Sequence, residues 1–107
     1  IVAKLDQWLT RKPAGRTLVH GDLRVDNILF APDGTKCWLV DWQTLGIGSG
    51  ASDLAYLVGT SIADPALRDD RAAFGQWFAA LARAGVDADD AALWTDYRIG
   101  ALSGYFM

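Results

Sequence analysis

Apolar residues recur at helical intervals at both ends of the chain, whereas positions 16–48 break into short extended runs and polar loops. Val2, Leu5, Trp8 and Leu9 keep the spacing of an amphipathic helix over 1–11, until Pro13, Ala14 and Gly15 break it. Thr17, Leu18 and Val19 read as a brief extended run, and 20–27 has no usable period and reads as a loop. Ile28, Leu29 and Phe30, the turn residues Pro32, Asp33 and Gly34, and then 36–40 predict a β-hairpin whose second strand ends at Asp41.

Beyond the hairpin, 44–52 is rich in Gly and Ser, and within it 46–50 reads as a flexible connector. Ser52 or Asp53 can cap a helix through Leu54, Leu57 and Val58, which Asp64 and Pro65 end. A longer helix is expected over 66–84, with Leu67, Phe74, Trp77, Phe78 and Leu81 on one stripe and Gly85 as its stop. A last helix, capped within 87–90, carries Leu93, Trp94, Tyr97 and Leu102. The aromatics on these two helices read as core, since helical spacing puts them on buried faces.

Composition narrows the function classes. With 107 residues, 51% of them apolar and five of them Trp, the chain is one domain's worth at most and can bury a real core. A net charge of −3 with scattered Lys and Arg gives no field for a phosphate backbone, so nucleic acid is not an expected partner. The single Cys37 excludes an internal disulfide, and no apolar stretch approaches the roughly 20 residues that span a bilayer. A soluble, cytoplasmic protein without membrane association is expected. The start at Ile1 without an initiator Met, and the stop inside the apolar ALSGYFM, read as a piece cut from something longer.

The informative spacing is Asp22, then Asn27 five residues on, then Asp41 at the end of the hairpin. Phosphoryl transfer from ATP asks little covalent chemistry of a protein. It needs a carboxylate at the acceptor hydroxyl and hard oxygen ligands for the Mg²⁺ that bridges the phosphates. An Asp, an Asn and a second Asp supply that set. Singly, each would read as a solvated loop residue, as Asp26 and Asp33 do; the joint placement in one loop and hairpin makes the difference. His20 as a zinc or di-metal ligand fails for want of a second His. Residues 46–50, GIGSG, lack the Gly-Lys-Ser/Thr ending of a phosphate-cradling loop.

The run HGDLRVDN at 20–27, followed by DWQ at 41–43, resembles the catalytic loop of the aminoglycoside phosphotransferase and choline kinase-like superfamily. That loop is itself akin to the H-R-D-L-x-x-x-N loop of protein kinases, and Gly21 in place of Arg favours the small-molecule branch. The resemblance implies Asp22 as catalytic base, with Asn27 and Asp41 as the Mg²⁺ ligands that hold the nucleotide. It implies Arg24 as a second catalytic residue at the transferred phosphate, a task that suits a planar guanidinium. His20 would orient the loop, and Asp53 of SDLAYLVG would support it by accepting hydrogen bonds from loop amides. DWQ with LARAGV and DYRIGALSG looks most like the ecdysteroid-kinase-like and related bacterial branches, which often carry Trp where this chain has Arg24.

The implied fold is α+β and mainly helical: the C-terminal lobe of a protein-kinase-like fold over 1–107, with the N-terminal lobe absent. Residues 1–4, IVAK, mimic the strand carrying the ATP-positioning Lys of that lobe, but they lie too close to the loop to serve. The implied activity is ATP-dependent transfer of the γ-phosphate to a hydroxyl of a small molecule, with Mg²⁺ as cofactor and the missing lobe as partner. The isolated piece is expected to be inactive. Trp42 and Gln43, beside the metal Asp, are the substrate-side candidates. A degenerate kinase-fold binding or scaffolding module is the competing reading, and the intact Asp22, Asn27 and Asp41 argue against it.

Overall fold

Aspartates, more than apolar runs, decide where the helices begin. In the computed structural model, residues 14–106 are described, with side chains through 102. The expected helix over 1–11 lies outside the described residues. Three helices follow one another in the second half: α1 (Gly50–Ser61), α2 (Asp70–Arg83) and α3 (Asp90–Phe106).

The stretch 66–84 does not run as one helix, because two aspartates each start an element. The Asp64 carboxylate accepts from the Ala66 amide at 2.9 Å and caps a 3-10 turn, Pro65–Leu67. The Asp69 carboxylate accepts from Ala72 at 2.9 Å and starts α2. Asp89 does the same for α3 through the Ala92 amide at 3.3 Å. At α1 the expected cap is corrected. The helix starts at Gly50 behind Ser49, two residues before Ser52, and Asp53 turns its carboxylate away to another task.

The extended segments pair in two antiparallel ribbons. β2 (Ile28–Phe30) and β3 (Cys37–Leu39) form the expected hairpin, with Ile28 opposite Leu39 and Phe30 opposite Cys37. Its turn is fixed by Asp33, which accepts from the Thr35 amide at 3.0 Å and hydroxyl at 2.7 Å. Those bonds, the amide's first, hold the Asp33 carboxyl below the usual carboxylate range. The connector read as flexible is instead a strand. β4 (Gly46–Gly48) pairs with β1 (Thr17–Val19), with Leu18 opposite Ile47. Two glycines in three positions hide such a strand from propensity, since glycine is depleted in strands and only the partner's hydrogen bonds define it.

The core lies between the helices. Ala51 and Ala55 of α1, Phe74 of α2, and Leu93 and Tyr97 of α3 are buried together, with Trp77, Phe78 and Trp94 packed against them. The Phe74 ring meets Trp94 and Tyr97 edge-on at centroid distances of 5.1 and 6.0 Å, a geometry favoured by the aromatic quadrupole. The Tyr97 hydroxyl donates to Asp70 in the first turn of α2. Burial, then that bond, pushes the Tyr97 phenol far above its ordinary value. Buried Asp96 uses its carboxylate as an anchor, accepting from the amides of Ala14 at 2.9 Å and Gly15 at 3.0 Å. The chain ahead of β1 is thereby fastened to α3.

α1 and α3 approach closely because small residues meet at their crossing. A Cβ added at Gly100 would lie 2.8 Å from the Ser52 Cα, backbone that cannot step aside. Gly100→Ala is therefore expected to destabilise by about 1–3 kcal/mol from overpacking, less the roughly 1 kcal/mol that Ala gains in helix propensity. Urea denaturation checks it. A midpoint at or above the parent's would mean the two helices can separate freely.

Candidate active site

Ahead of its 3-10 turn, Val25–Asn27, the loop between β1 and β2 has no regular structure of its own, so side chains from elsewhere fix it. Asp53, on the first turns of α1, does most of this. Its carboxylate accepts from the His20 amide at 2.7 Å and from the Gly21 amide at 3.1 Å.

Buried His20 fixes the loop from inside. Its Nδ1 accepts from the Asp22 amide at 3.2 Å, so the ring proton sits on Nε2, which donates to the Val40 carbonyl at 2.7 Å. One imidazole thus ties the loop to the last residue of the hairpin. The His20 carbonyl accepts from the Thr44 hydroxyl at 2.7 Å, and the Trp42 ring packs on the imidazole at 4.7 Å. Between them Gly21 has φ +87, and a Cβ there would lie 2.6 Å from the Thr44 carbonyl oxygen. No side chain fits, which is the physical reason this loop cannot carry the Arg that protein kinases place there.

Asp22 presents a partly exposed carboxylate, 27% accessible, held at both oxygens. The Tyr56 hydroxyl of α1 donates to Oδ1 at 3.1 Å, and the Asn27 amide nitrogen donates to Oδ2 at 3.2 Å. The same Asn27 nitrogen donates to the Asp22 carbonyl at 2.8 Å, closing the loop on itself through the 3-10 turn Val25–Asn27. With its nitrogen so engaged, Asn27 leaves its Oδ1 without a hydrogen bond among the described residues.

Arg24 lies back across this group rather than reaching away from it. Its Nε is 3.3 Å from Asp22 Oδ1, and a terminal nitrogen is 3.8 Å from Asp26. The Nε contact has ion-pair distance without hydrogen-bond geometry, leaving that buried N–H unsatisfied. The Asp22–Arg24–Asp26 string is half-exposed, and its worth to stability is small.

Asp41 follows directly on the hairpin, where the Val40 amide donates to the Asn27 carbonyl at 2.9 Å. That bond makes Asp41 the next residue along from the partner of Asn27. Asp41 is exposed, and its backbone is left-handed at φ +62, a region that non-glycine residues other than Asn and Asp seldom adopt. Its side chain forms no hydrogen bond among the described residues. Trp42 and Gln43 beside it are exposed, and the Trp42 indole donates to the Leu39 carbonyl at 2.9 Å.

The structure thus brings His20, Asp22, Arg24, Asn27 and Asp53 into one hydrogen-bonded unit and sets Asp41 at its edge. Among the described residues no group of three or more His, Cys, Asp or Glu side chains could hold a metal. A cation here would be held by one carboxylate and one amide oxygen, with the rest of its shell from water or ligand, as Mg²⁺ commonly is. Two participants escaped sequence reasoning, Tyr56 and Asp96. Each carried a signal: Tyr56 sits three residues after Asp53 on the same helix face, and Asp96 is a carboxylate on the stripe of Leu93, Tyr97 and Gly100.

Comparison with known proteins places this site in context. The model of a family described as "Phosphotransferase enzyme family" matches residues 1–96. Acyl-CoA dehydrogenase family member 10 of Mus musculus is 39% identical over 57 residues, covering 50% of this chain and 5% of that protein. Acyl-CoA dehydrogenase family member 11 of Homo sapiens is 38% identical over 58 residues, covering 50% of this chain and 7% of that protein. The chain therefore spans only a small part of these relatives. No solved structure matches it. Among the described residues no helix is long and apolar enough to cross a membrane.

Proposed function

Because the chain belongs to the phosphotransferase enzyme family, we propose that it carries the catalytic half of a kinase moving the γ-phosphate of ATP to a small-molecule hydroxyl. The observation that carries this reading is the Asp22 carboxylate, partly exposed yet gripped at one oxygen by Tyr56 and at the other by Asn27. A carboxylate fixed in this way can accept a proton from an alcohol docked against it. The acceptor oxygen then forms its bond to the γ-phosphorus, the bond from that phosphorus to the β-bridging oxygen breaks, and ADP leaves with the electron pair. The proton ends on Asp22.

Asn27 Oδ1 and the Asp41 carboxylate are hard oxygen donors without competing hydrogen bonds among the described residues, which fits them to Mg²⁺. When bound, the ion would neutralise charge on the β- and γ-phosphates. Arg24 is long enough to leave Asp22 for the phosphoryl group, its planar fork matching phosphate oxygens. His20 and Asp53 hold the loop and touch no reacting atom.

The reading also assigns the chain to a C-terminal lobe covered by a second, N-terminal lobe. The support is the β2–β3 hairpin. Leu29, Phe30 and Trp38 are each more than half exposed, and a two-stranded ribbon with both faces open is marginal alone. A second body over these residues would bury them and close the nucleotide cleft.

The test is a screen of the two-lobed enzyme with Mg·ATP against aminoglycosides, choline, sugars, steroids and hydroxy-acyl compounds, read as ADP release. Magnesium-dependent turnover with one class is expected. ADP release that needs no divalent metal, or none with any alcohol despite Mg·ATP binding, would sink the reading.

A further inference from the structure

We propose that Tyr56 is a positioning residue for Asp22: its hydroxyl, delivered by the helix that also clamps the loop backbone, sets the angle at which the base meets the acceptor. The inference rests on the reading of Asp22 as the base and adds to it a residue that neither the spacing nor the family resemblance supplied.

The geometry is that of one helix face acting at three consecutive loop residues. Asp53 and Tyr56 stand three apart on α1, so their side chains project from the same side. Asp53 holds the amides of His20 and Gly21, and Tyr56 reaches the carboxylate of Asp22, the next residue. Asp53 fixes where the loop runs, but it cannot fix how the carboxylate beyond it is turned. The terminal torsion of an aspartate is soft and roughly two-fold, so its plane must be set by partners. Asn27 supplies one, at Oδ2. Arg24 lies near Oδ1 without hydrogen-bond geometry, and that leaves Tyr56 to fix the second oxygen.

Tyr56 suits this task. Among the described residues its hydroxyl has Asp22 as its hydrogen-bond partner. Its phenol is raised above the ordinary value, by burial first and then by the bond to Asp22, so it stays a donor across the working pH range. The ring is rigid and carried by a helix, so the donor does not wander with the loop.

Three variants of the two-lobed enzyme decide the matter: Tyr56→Phe, Asp22→Asn and the double substitution. Turnover is read as ADP release from Mg·ATP, with an alcohol from the screen as acceptor, or water where none has been found. Tyr56→Phe keeps the ring and removes only the hydroxyl. It is expected to lower kcat about 10-fold, as misorientation of a reacting group does, while KM for Mg·ATP and acceptor stays within about two-fold. In the Asp22→Asn background the same change should cost nothing further, because the group that Tyr56 orients has already lost its function. A Tyr56→Phe enzyme with full kcat overturns the proposal. So does a double variant slower than Asp22→Asn by the full Tyr56→Phe factor, which would mean Tyr56 acts independently of Asp22. Failure of the base assignment reads out separately, as an Asp22→Asn single variant that turns over like the parent, and it overturns this proposal with it. Should Tyr56→Phe melt early, the assays are run below its transition and the same criteria apply.

Discussion

Asp22→Asn is expected to leave the fold intact and to slow turnover by roughly 10²- to 10⁴-fold, the usual worth of a positioned general base. The fold should survive because Asn has the same shape. It can turn its carbonyl oxygen to the Asn27 nitrogen, while its own amide group donates to the Tyr56 hydroxyl, so the loop keeps its contacts. The Asp22 backbone bonds, to His20 Nδ1, Arg24 and Asn27, are untouched by the change. What disappears is the capacity to take a proton from a hydroxyl. The measurement is kcat beside a thermal melt. An unchanged kcat would remove Asp22 from the mechanism, and a collapsed melt would assign it to the fold instead.

Asp41→Ala should lower turnover on the order of 10²-fold or more, since even residues that only support a ligand are worth 10- to 100-fold. Excess Mg²⁺ should restore it only in part. Alanine also tolerates the left-handed backbone at φ +62 less well than aspartate does, which adds a cost unrelated to metal. Asp41→Asn separates the two, for Asn accepts that conformation while losing the charge. If both variants show a raised Mg²⁺ requirement, the carboxylate is a ligand. A magnesium titration superimposable on the parent's in both would show that it is not.

Much of the architecture could be read from residue order because its determinants are local. The hairpin follows from Pro32, Asp33 and Gly34 between two β-branched and aromatic runs, and the two later helices from aromatic stripes that do form the core. The mainly helical α+β class, implied by the family resemblance, agrees with the same patterns. What could not be read depends on partners distant in the chain. β4 is a strand only because β1 lies beside it, and its own GIG carries no propensity for it. Asp53 looked like a cap from its neighbours; its hold on amides more than 30 positions earlier, of the kind the family resemblance implied, is not legible in the local pattern. The sequence brings Asp22, Asn27 and Asp41 near one hairpin, but it does not say that Asn27 spends its nitrogen on Asp22 or that Arg24 rests against the same carboxylate.

The anchor at Asp96 has a consequence for the order in which the molecule is assembled. Its bonds to the amides at 14 and 15 close loops of 82 and 81 residues, whereas Asp53 reaches the loop across only 33 and 32. During synthesis from the N-terminus, α1 can therefore engage the loop that carries Asp22 while α3 is still inside the ribosome. The amides of Ala14 and Gly15 gain their carboxylate partner only when Asp96 emerges. Contacts of that separation form late and slow the overall rate. The site and the β1–β4 ribbon can thus be shaped early, but the two amides just ahead of β1 are tied down only once nearly the whole of this stretch has been made.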